Sequence, residues 1–192
     1  MESVSNNSYV VLLHGIGRTK RVMNGMDRYL SARGYHVYND AYQSTSFSIA
    51  TLTERIWERV QQNCLDQTKQ LNFVGHSMGA MIALELACRA PANVGAVAAC
   101  NAIFERRPEA AAAVQARAGS LDGTIAPDPG STLERWFGSA QSDERSACES
   151  WLLAANPRGY QLAYTAFAHA DGPRRETLQA LTCPALFATG AL

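Results

Sequence analysis

The chain has 192 residues, 47% of them hydrophobic and 18% charged, which is enough apolar material for one domain with a sizeable core. Seventeen basic residues balance seventeen acidic ones, so no excess charge would attract nucleic acid or anionic lipid. We see no apolar run long enough to span a membrane and no secretory signal pattern. We therefore expect a cytoplasmic protein that binds neither nucleic acid nor a membrane.

The cysteines give no sign of a disulfide framework or a metal site. They are odd in number and widely scattered, at Cys64, Cys88, Cys100, Cys148 and Cys183. None forms a C-x-x-C pair or has ligand-like spacing from a histidine. We predict free, buried thiols in a reducing compartment and no bound metal.

The first half of the chain predicts an α/β fold. Four compact apolar runs have the composition of buried strands, at 9–14, 35–40, 71–75 and 94–100. Helix-like patterns lie between them. This alternation is typical of right-handed β-α-β units, so we predict a mostly parallel sheet with flanking helices. The pattern leaves the order of the strands open.

Apolar spacing and cap signals predict the helices between these strands. Two sets of residues are expected to form buried helical faces, namely Val22, Met26 and Leu30 in the first helix and Leu52, Ile56 and Val60 in the second. Gly34 is a plausible end of the first helix. Thr51 and Glu54 have the spacing of a capping box at the start of the second.

After Asn101 the pattern changes, and only helical signals occur between Phe104 and Leu181. Ser131 and Glu134 have the spacing of another capping box, and Pro157 suits a first helical turn. The run at 184–190 again has strand character. We predict a core of residues 1–103 and 184–192, interrupted by a helical insertion at 104–183.

The pentapeptide GHSMG, residues 75–79, fits the pattern G-x-S-x-G between a predicted strand and a predicted helix. A sharp turn at this junction strains the backbone of Ser77 and holds its hydroxyl out at the sheet edge. Gly75 and Gly79 supply the space that the turn needs. The N–H of Met78, in the first turn of the helix, has no intrahelical partner and could stabilise a developing oxyanion.

A second oxyanion donor is expected from the loop after the first strand. The sequence LLHGIG, residues 12–17, lies at that place. Gly15 would allow one backbone to approach another closely, and the N–H of Ile16 would be the donor.

These motifs resemble those of the α/β-hydrolase family, with HGIG as the oxyanion loop and GHSMGA as the nucleophile elbow. Residues 9–80 resemble the N-terminal halves of bacterial lipases and esterases, whereas residues 71–192 look more like the enol-lactonase and small-ester hydrolase branch. The resemblance implies an α/β-hydrolase fold whose helical insertion caps the active site. It also implies a serine hydrolase that forms an acyl-enzyme at Ser77 from a small-molecule carboxylic ester, lactone or thioester, without a cofactor.

A serine nucleophile needs a histidine base and a carboxylate that orients it. No position here matches the family's acid or histidine, so we expect both, with the last strand and helix of the fold, to lie beyond residue 192. His169 is a candidate base, and Glu105 and Asp171 are candidate acids for it, although Asp171 better suits a helix cap. The His14 ring is expected to be structural, His36 to be packed within its strand, and the His76 ring to point away from the Ser77 hydroxyl. A non-catalytic binding protein and an incomplete product therefore stay open as alternatives.

Overall fold

The computed structural model describes residues 8–16, 18–44, 46–64, 70–126, 128–170, 172 and 175–190. Within these residues, five parallel strands form a single sheet in the order β2-β1-β3-β4-β5. The strands are β1 (Tyr9–Leu13), β2 (His36–Asn39), β3 (Leu71–His76), β4 (Val94–Cys100) and β5 (Ala185–Ala188). The predicted parallel sheet is confirmed, and the structure adds the strand order.

Helices follow the strands as the alternating pattern predicts. They are α1 (Asn24–Ser31), α2 (Ile49–Asn63), α3 (Met78–Arg89), α4 (Pro108–Ser120), α5 (Gly130–Phe137), α6 (Asp143–Leu153), α7 (Pro157–Ala168) and α8 (Arg175–Gln179). A short 3₁₀ helix, Lys20–Met23, precedes α1. No helix in these ranges combines the length and apolar character that a bilayer span requires.

The chain divides into two compact units. The segment Arg107–His169, with α4 to α7, forms one unit, and the sheet with the other helices forms the second. Leu178 of α8 and the following Leu181 pack against the core of the sheet unit. The functional division into a core at 1–103 and 184–192 and a cap at 104–183 stays a prediction.

The main core lies between the sheet and helices α2 and α3. Leu52, Ile56 and Val60 are buried on α2, as their spacing predicts. Helix α3 is apolar nearly all round, and most of its residues between Met78 and Ala87 are buried. Burial on all sides is typical of a helix at the centre of a core. This packing holds the N-terminal end of α3 rigidly against the sheet.

The predicted buried face of the first helix is wrong at two of its three residues; Leu30 is half-buried and does pack against the sheet. Val22 and Met26 are exposed by 55% and 42%, whereas Met23 is buried with Val10 and Leu12 of β1. A 3₁₀ helix has roughly 3 residues per turn where an α-helix has about 3.6. The 3₁₀ turn before α1 therefore rotates the chain, and Met23 faces the sheet in place of Val22.

Both predicted capping boxes are also wrong. Helix α2 begins three positions earlier than predicted, because Ser48 is its N-cap and its hydroxyl accepts the Thr51 N–H at 3.2 Å. Helix α5 begins at Gly130, whose N–H donates to the Asp128 carboxylate at 3.2 Å, so the chain has already turned before Ser131. The end of α1 is predicted more closely: the helix ends at Ser31, and Gly34, three residues later, has a φ of 84°, which favours glycine.

One face of the sheet remains open beside α1. A groove of about 550 Å³ runs over β3, β4 and β5, and Val74, Ala96, Ala98 and Leu186 contribute to its lining. Leu186 is 61% exposed. Helices α2 and α3 pack against the sheet in the main core, and the candidate site lies at the carboxyl ends of β1, β3 and β4.

Candidate active site

Ser77 lies at the sharp junction between β3 and α3. Its backbone has φ 55° and ψ −117°, a conformation that costs energy for any residue with a side chain. Neighbouring backbone holds it there: the Ser77 N–H donates to the Cys100 carbonyl at 2.8 Å, and the Ser77 carbonyl accepts the Ala80 N–H at 3.0 Å. The strained turn is thus tied both to β4 and to the first turn of α3.

The two elbow glycines are required by close backbone packing. A Cβ atom on Gly75 would overlap the carbonyl oxygen of Gly79, and one on Gly79 would lie 2.6 Å from the carbonyl oxygen of His14. Real Cβ atoms do not approach other atoms this closely, so neither site accepts a side chain without rearrangement. The glycines let the start of α3 pack directly on the ends of β1 and β3.

The loop after β1 contacts the elbow. A Cβ atom on Gly15 would lie 3.3 Å from the Cβ of Ser77 and 3.3 Å from Nδ1 of His76. Ile16, the next residue, is half-buried against the main core. Because Met78 is the first residue of α3, helix geometry provides no intrahelical acceptor for its N–H. The structure therefore brings the predicted oxyanion loop and the predicted nucleophile together.

His14 and Tyr42 stabilise the loop after β1 through ring stacking and a hydrogen bond. Their rings stack with centroids 4.1 Å apart, and the Tyr42 hydroxyl donates to the His14 carbonyl oxygen. The fully buried His14 ring donates from Nδ1 to the Gly15 carbonyl at 2.9 Å, which leaves Nε2 without a partner among the described residues. Burial lowers the pKa of His14. The sequence offered no motif that marked Tyr42.

A buried ion pair lies at the end of β2, close to this stack. Asp40 is 2% exposed and accepts two hydrogen bonds from Arg59, at 3.1 Å and 2.8 Å. The Tyr38 hydroxyl donates to the same carboxylate at 3.1 Å. Burial and the adjacent Asp40 charge raise the pKa of Tyr38 to about 12. The sequence reasoning missed this network, because Arg59 is 19 residues from Asp40 in the chain.

Asn101 meets His76 at the carboxyl end of the sheet. The Asn101 carboxamide nitrogen lies 3.2 Å from Nε2 of His76. Burial, and then the charge of Arg18, lower the pKa of His76. Asn101 was not singled out from the sequence; its one signal is its place directly after the strand that follows the elbow helix.

Two further candidates, His169 and Glu105, lie within the described residues. His169 is exposed at the C-terminal end of α7 and belongs to the other compact unit. Glu105 is engaged with Arg175, whose Nε donates to it at 3.1 Å. Asp171 lies outside the described residues. His36 is exposed beside the Tyr9 ring, so the expectation that it is packed is wrong.

Sequence comparison identifies a family and a relative. The family model described as "alpha/beta hydrolase fold" matches residues 9–167. The (E)-2-((N-methylformamido)methylene)succinate hydrolase of Acinetobacter baylyi is 30% identical over 189 residues. That alignment covers 94% of this chain and 71% of the relative. Both matches include the elbow and the loop after β1.

Solved structures share the same fold. The enol-lactonase from Burkholderia xenovorans LB400 aligns with a TM-score of 0.66 and 18% identity, covering 99% of this chain and 75% of that one. A thermophilic esterase from Thermogutta terrifontis aligns with a TM-score of 0.70 and 17% identity, covering 96% and 71%. From the family model, the relative and the shared fold together, we conclude that this chain belongs to the alpha/beta hydrolase family and is a hydrolase of that family.

Proposed function

We propose that the protein is a serine hydrolase whose nucleophile is Ser77. The observation that carries this proposal is the strained conformation of Ser77, with φ 55°, directly beside the loop of Gly15. Backbone strain at a polar residue persists only where the surrounding structure enforces it, and it concentrates at functional sites. A serine held in this way between a strand and a buried helix suits attack on a carbonyl carbon.

The proposed reaction proceeds through an acyl-enzyme. The Ser77 oxygen attacks the carbonyl carbon while a base accepts the hydroxyl proton, and the carbonyl oxygen becomes an oxyanion. The N–H groups of Met78 and Ile16 stabilise that oxyanion. The leaving group departs with a proton, and water then hydrolyses the acyl-serine bond and restores the hydroxyl.

The proposed substrate is a small molecule with a carboxylic ester, lactone or thioester. The Acinetobacter relative is named for a succinate that carries an N-methylformamido group. That group is an amide, so the compound is a second substrate to test, outside the proposed ester, lactone and thioester class. The proposed mechanism requires no cofactor, and we propose a cytoplasmic location without nucleic-acid or membrane partners. The described residues contain no disulfide between Cys64, Cys88, Cys100, Cys148 and Cys183, which is in keeping with a reducing compartment. Cys64 is buried as predicted, whereas the other four are half-buried, so the prediction of burial is wrong for them.

A second candidate is a member of the same fold that binds ligands without turnover. It is favoured by the contacts of two polar residues: His76 has its Nε2 engaged with Asn101, and Glu105 is engaged with Arg175. If Ser77 does act as a nucleophile, its base must be a residue other than His76. His169 is the residue to test first.

The deciding experiment combines covalent labelling with turnover. The chain is treated with a fluorophosphonate probe and, separately, with a short-chain p-nitrophenyl ester, beside the variants Ser77→Ala and His169→Ala. Ser120→Ala serves as the control, because Ser120 is an exposed serine on α4.

We expect labelling of wild type and Ser120→Ala but not of Ser77→Ala. Loss of a nucleophile or base typically lowers turnover by about 10⁴–10⁶-fold, so the same loss in His169→Ala would identify His169 as the base. Labelling that persists in Ser77→Ala would overturn the nucleophile assignment. Ligand binding without turnover, unchanged in Ser77→Ala, would favour the second candidate.

A further inference from the structure

Asn101 connects the ends of three neighbouring strands. It follows β4 directly, and its N–H donates to the Ala188 carbonyl of β5 at 2.7 Å. Its side chain reaches His76, the last residue of β3, at 3.2 Å and the N–H of Gly190 at 3.4 Å. Its φ of 52° lies in the left-handed region, which asparagine tolerates better than most residues.

The Gly190 contact fixes the orientation of the Asn101 carboxamide. A backbone N–H can only donate, so the Asn101 atom that faces Gly190 must be the carbonyl oxygen Oδ1. The amide nitrogen Nδ2 then faces His76. Since an amide nitrogen is a donor and has no acceptor capacity, Nε2 of His76 must accept the hydrogen bond.

This hydrogen bond determines the protonation state of the His76 ring. An accepting Nε2 carries no proton, so the ring is neutral with its proton on Nδ1, the nitrogen that lies toward Gly15. The other groups at the ring agree with a neutral form: Arg18 is a cation that disfavours a second positive charge, and Gly15 and Asn101 are uncharged. Neither ring nitrogen is then free to accept the Ser77 proton.

We propose that Asn101 is a positioning residue of the nucleophile elbow, which holds His76 as the neutral Nδ1–H tautomer and thereby couples the residue before Ser77 to the end of β5. This assignment rests on the proposed function only where it concerns reactivity at Ser77. The tautomer and its dependence on Asn101 can be measured whether or not Ser77 is a nucleophile.

The test is a two-bond ¹H–¹⁵N correlation spectrum of the histidine rings in the ¹⁵N-labelled full chain, recorded as a function of pH. The signals of His76 are assigned by their absence in His76→Gln. Asn101→Gly removes the carboxamide without straining the left-handed backbone. Asn101→Asp keeps the shape but places an anion against the ring. Glu105→Gly, which changes another left-handed residue with φ 41°, is the matched control.

In wild type and in Glu105→Gly we expect an unprotonated Nε2 and a protonated Nδ1. Asn101→Gly should give a mixture of tautomers, and Asn101→Asp should raise the pKa of His76 by about one unit or more, because an opposite charge in contact favours the protonated ring. A protonated Nε2 in wild type, or an unchanged tautomer in folded Asn101→Gly, would overturn the proposal.

A second readout separates this proposal from the proposed function. The rate of fluorophosphonate labelling should fall about tenfold in Asn101→Gly. Without the hydrogen bond from Asn101 to His76, the elbow should position the Ser77 hydroxyl less well. An undiminished rate in Asn101→Gly would show that Asn101 does not position the elbow. Complete absence of labelling in wild type would instead contradict Ser77 as the nucleophile, while the spectrum would still test the His76 tautomer.

Discussion

Gly79 and His14 make a direct backbone contact between the elbow helix α3 and the loop after β1. A Cβ atom on Gly79 would lie 2.6 Å from the carbonyl oxygen of His14. That carbonyl also accepts the Tyr42 hydroxyl, so it cannot move without disturbing a buried hydrogen bond. Helix α3 can therefore pack this closely on the loop of Gly15 only because residue 79 has no side chain.

The substitution Gly79→Ala should destabilise the protein although alanine favours helices. We expect the free energy of unfolding to fall by about 2 kcal/mol, because overpacking at a rigid contact outweighs the helix propensity. Urea unfolding followed by circular dichroism measures the change. Gly25→Ala in α1 is the control, since no atom lies within 4 Å of its added Cβ. A stabilised Gly79→Ala would contradict the contact.

The substitution Tyr42→Phe should weaken the support of the loop after β1. It removes the donor to the buried His14 carbonyl while keeping the stacked ring, and we expect a loss of about 1–3 kcal/mol in the free energy of unfolding. Tyr29→Phe, at a ring that is 54% exposed, should change it by less than about 0.5 kcal/mol. Equal effects of the two substitutions would argue against the buried hydrogen bond.

The substitution Arg59→Met should leave the buried Asp40 without its cation. We expect a loss of about 2–3 kcal/mol, at the low end of the range for a broken buried pair because Arg59 is 34% exposed. Arg89→Met breaks the exposed pair with Glu85 and should cost less than about 1 kcal/mol. Chemical denaturation measures the free energy of unfolding of both variants. Similar losses would show that the burial of Asp40 does not make its ion pair more important for stability.

Stability should decrease as the pH falls below the ordinary histidine pKa of 6.5. Burial lowers the pKa of His14, so in this range the unfolded chain binds a proton that the folded chain does not, and acid favours unfolding. Urea unfolding at pH 7.5 and 5.5 measures the drop. The substitution His14→Phe should reduce this loss of stability. A smaller loss should remain, because the pKa of His76 is also lowered. An equal drop in His14→Phe would contradict the role of His14.

Local patterns predicted the secondary structure well where burial is strong. The β4 range matches its predicted bounds, and Leu52, Ile56 and Val60 are buried as expected, because apolar periodicity directly reflects burial against a core. The caps were less predictable. Ser48 and Thr51 both have suitable side chains, and only the backbone path into α2 decides which of them is the N-cap.

Most of the candidate site followed from two short motifs. The sequence indicated Ser77, Met78 and Ile16 because a nucleophile elbow and an oxyanion loop each have a local backbone requirement that only certain residues meet. It did not indicate Tyr42 or Asn101. Their partners, His14 and His76, are 28 and 25 residues away in the chain.

By itself the sequence determined the parallel α/β class and the strained junction at Ser77, since both depend on periodicity and on residues within one turn. The tertiary structure alone decided the strand order β2-β1-β3-β4-β5, and with it which carboxyl ends become neighbours. Gly15 contacts Ser77, and Asn101 contacts His76, only because β1 and β4 flank β3. Contacts of this kind depend on the register of separate strands, which local patterns do not encode.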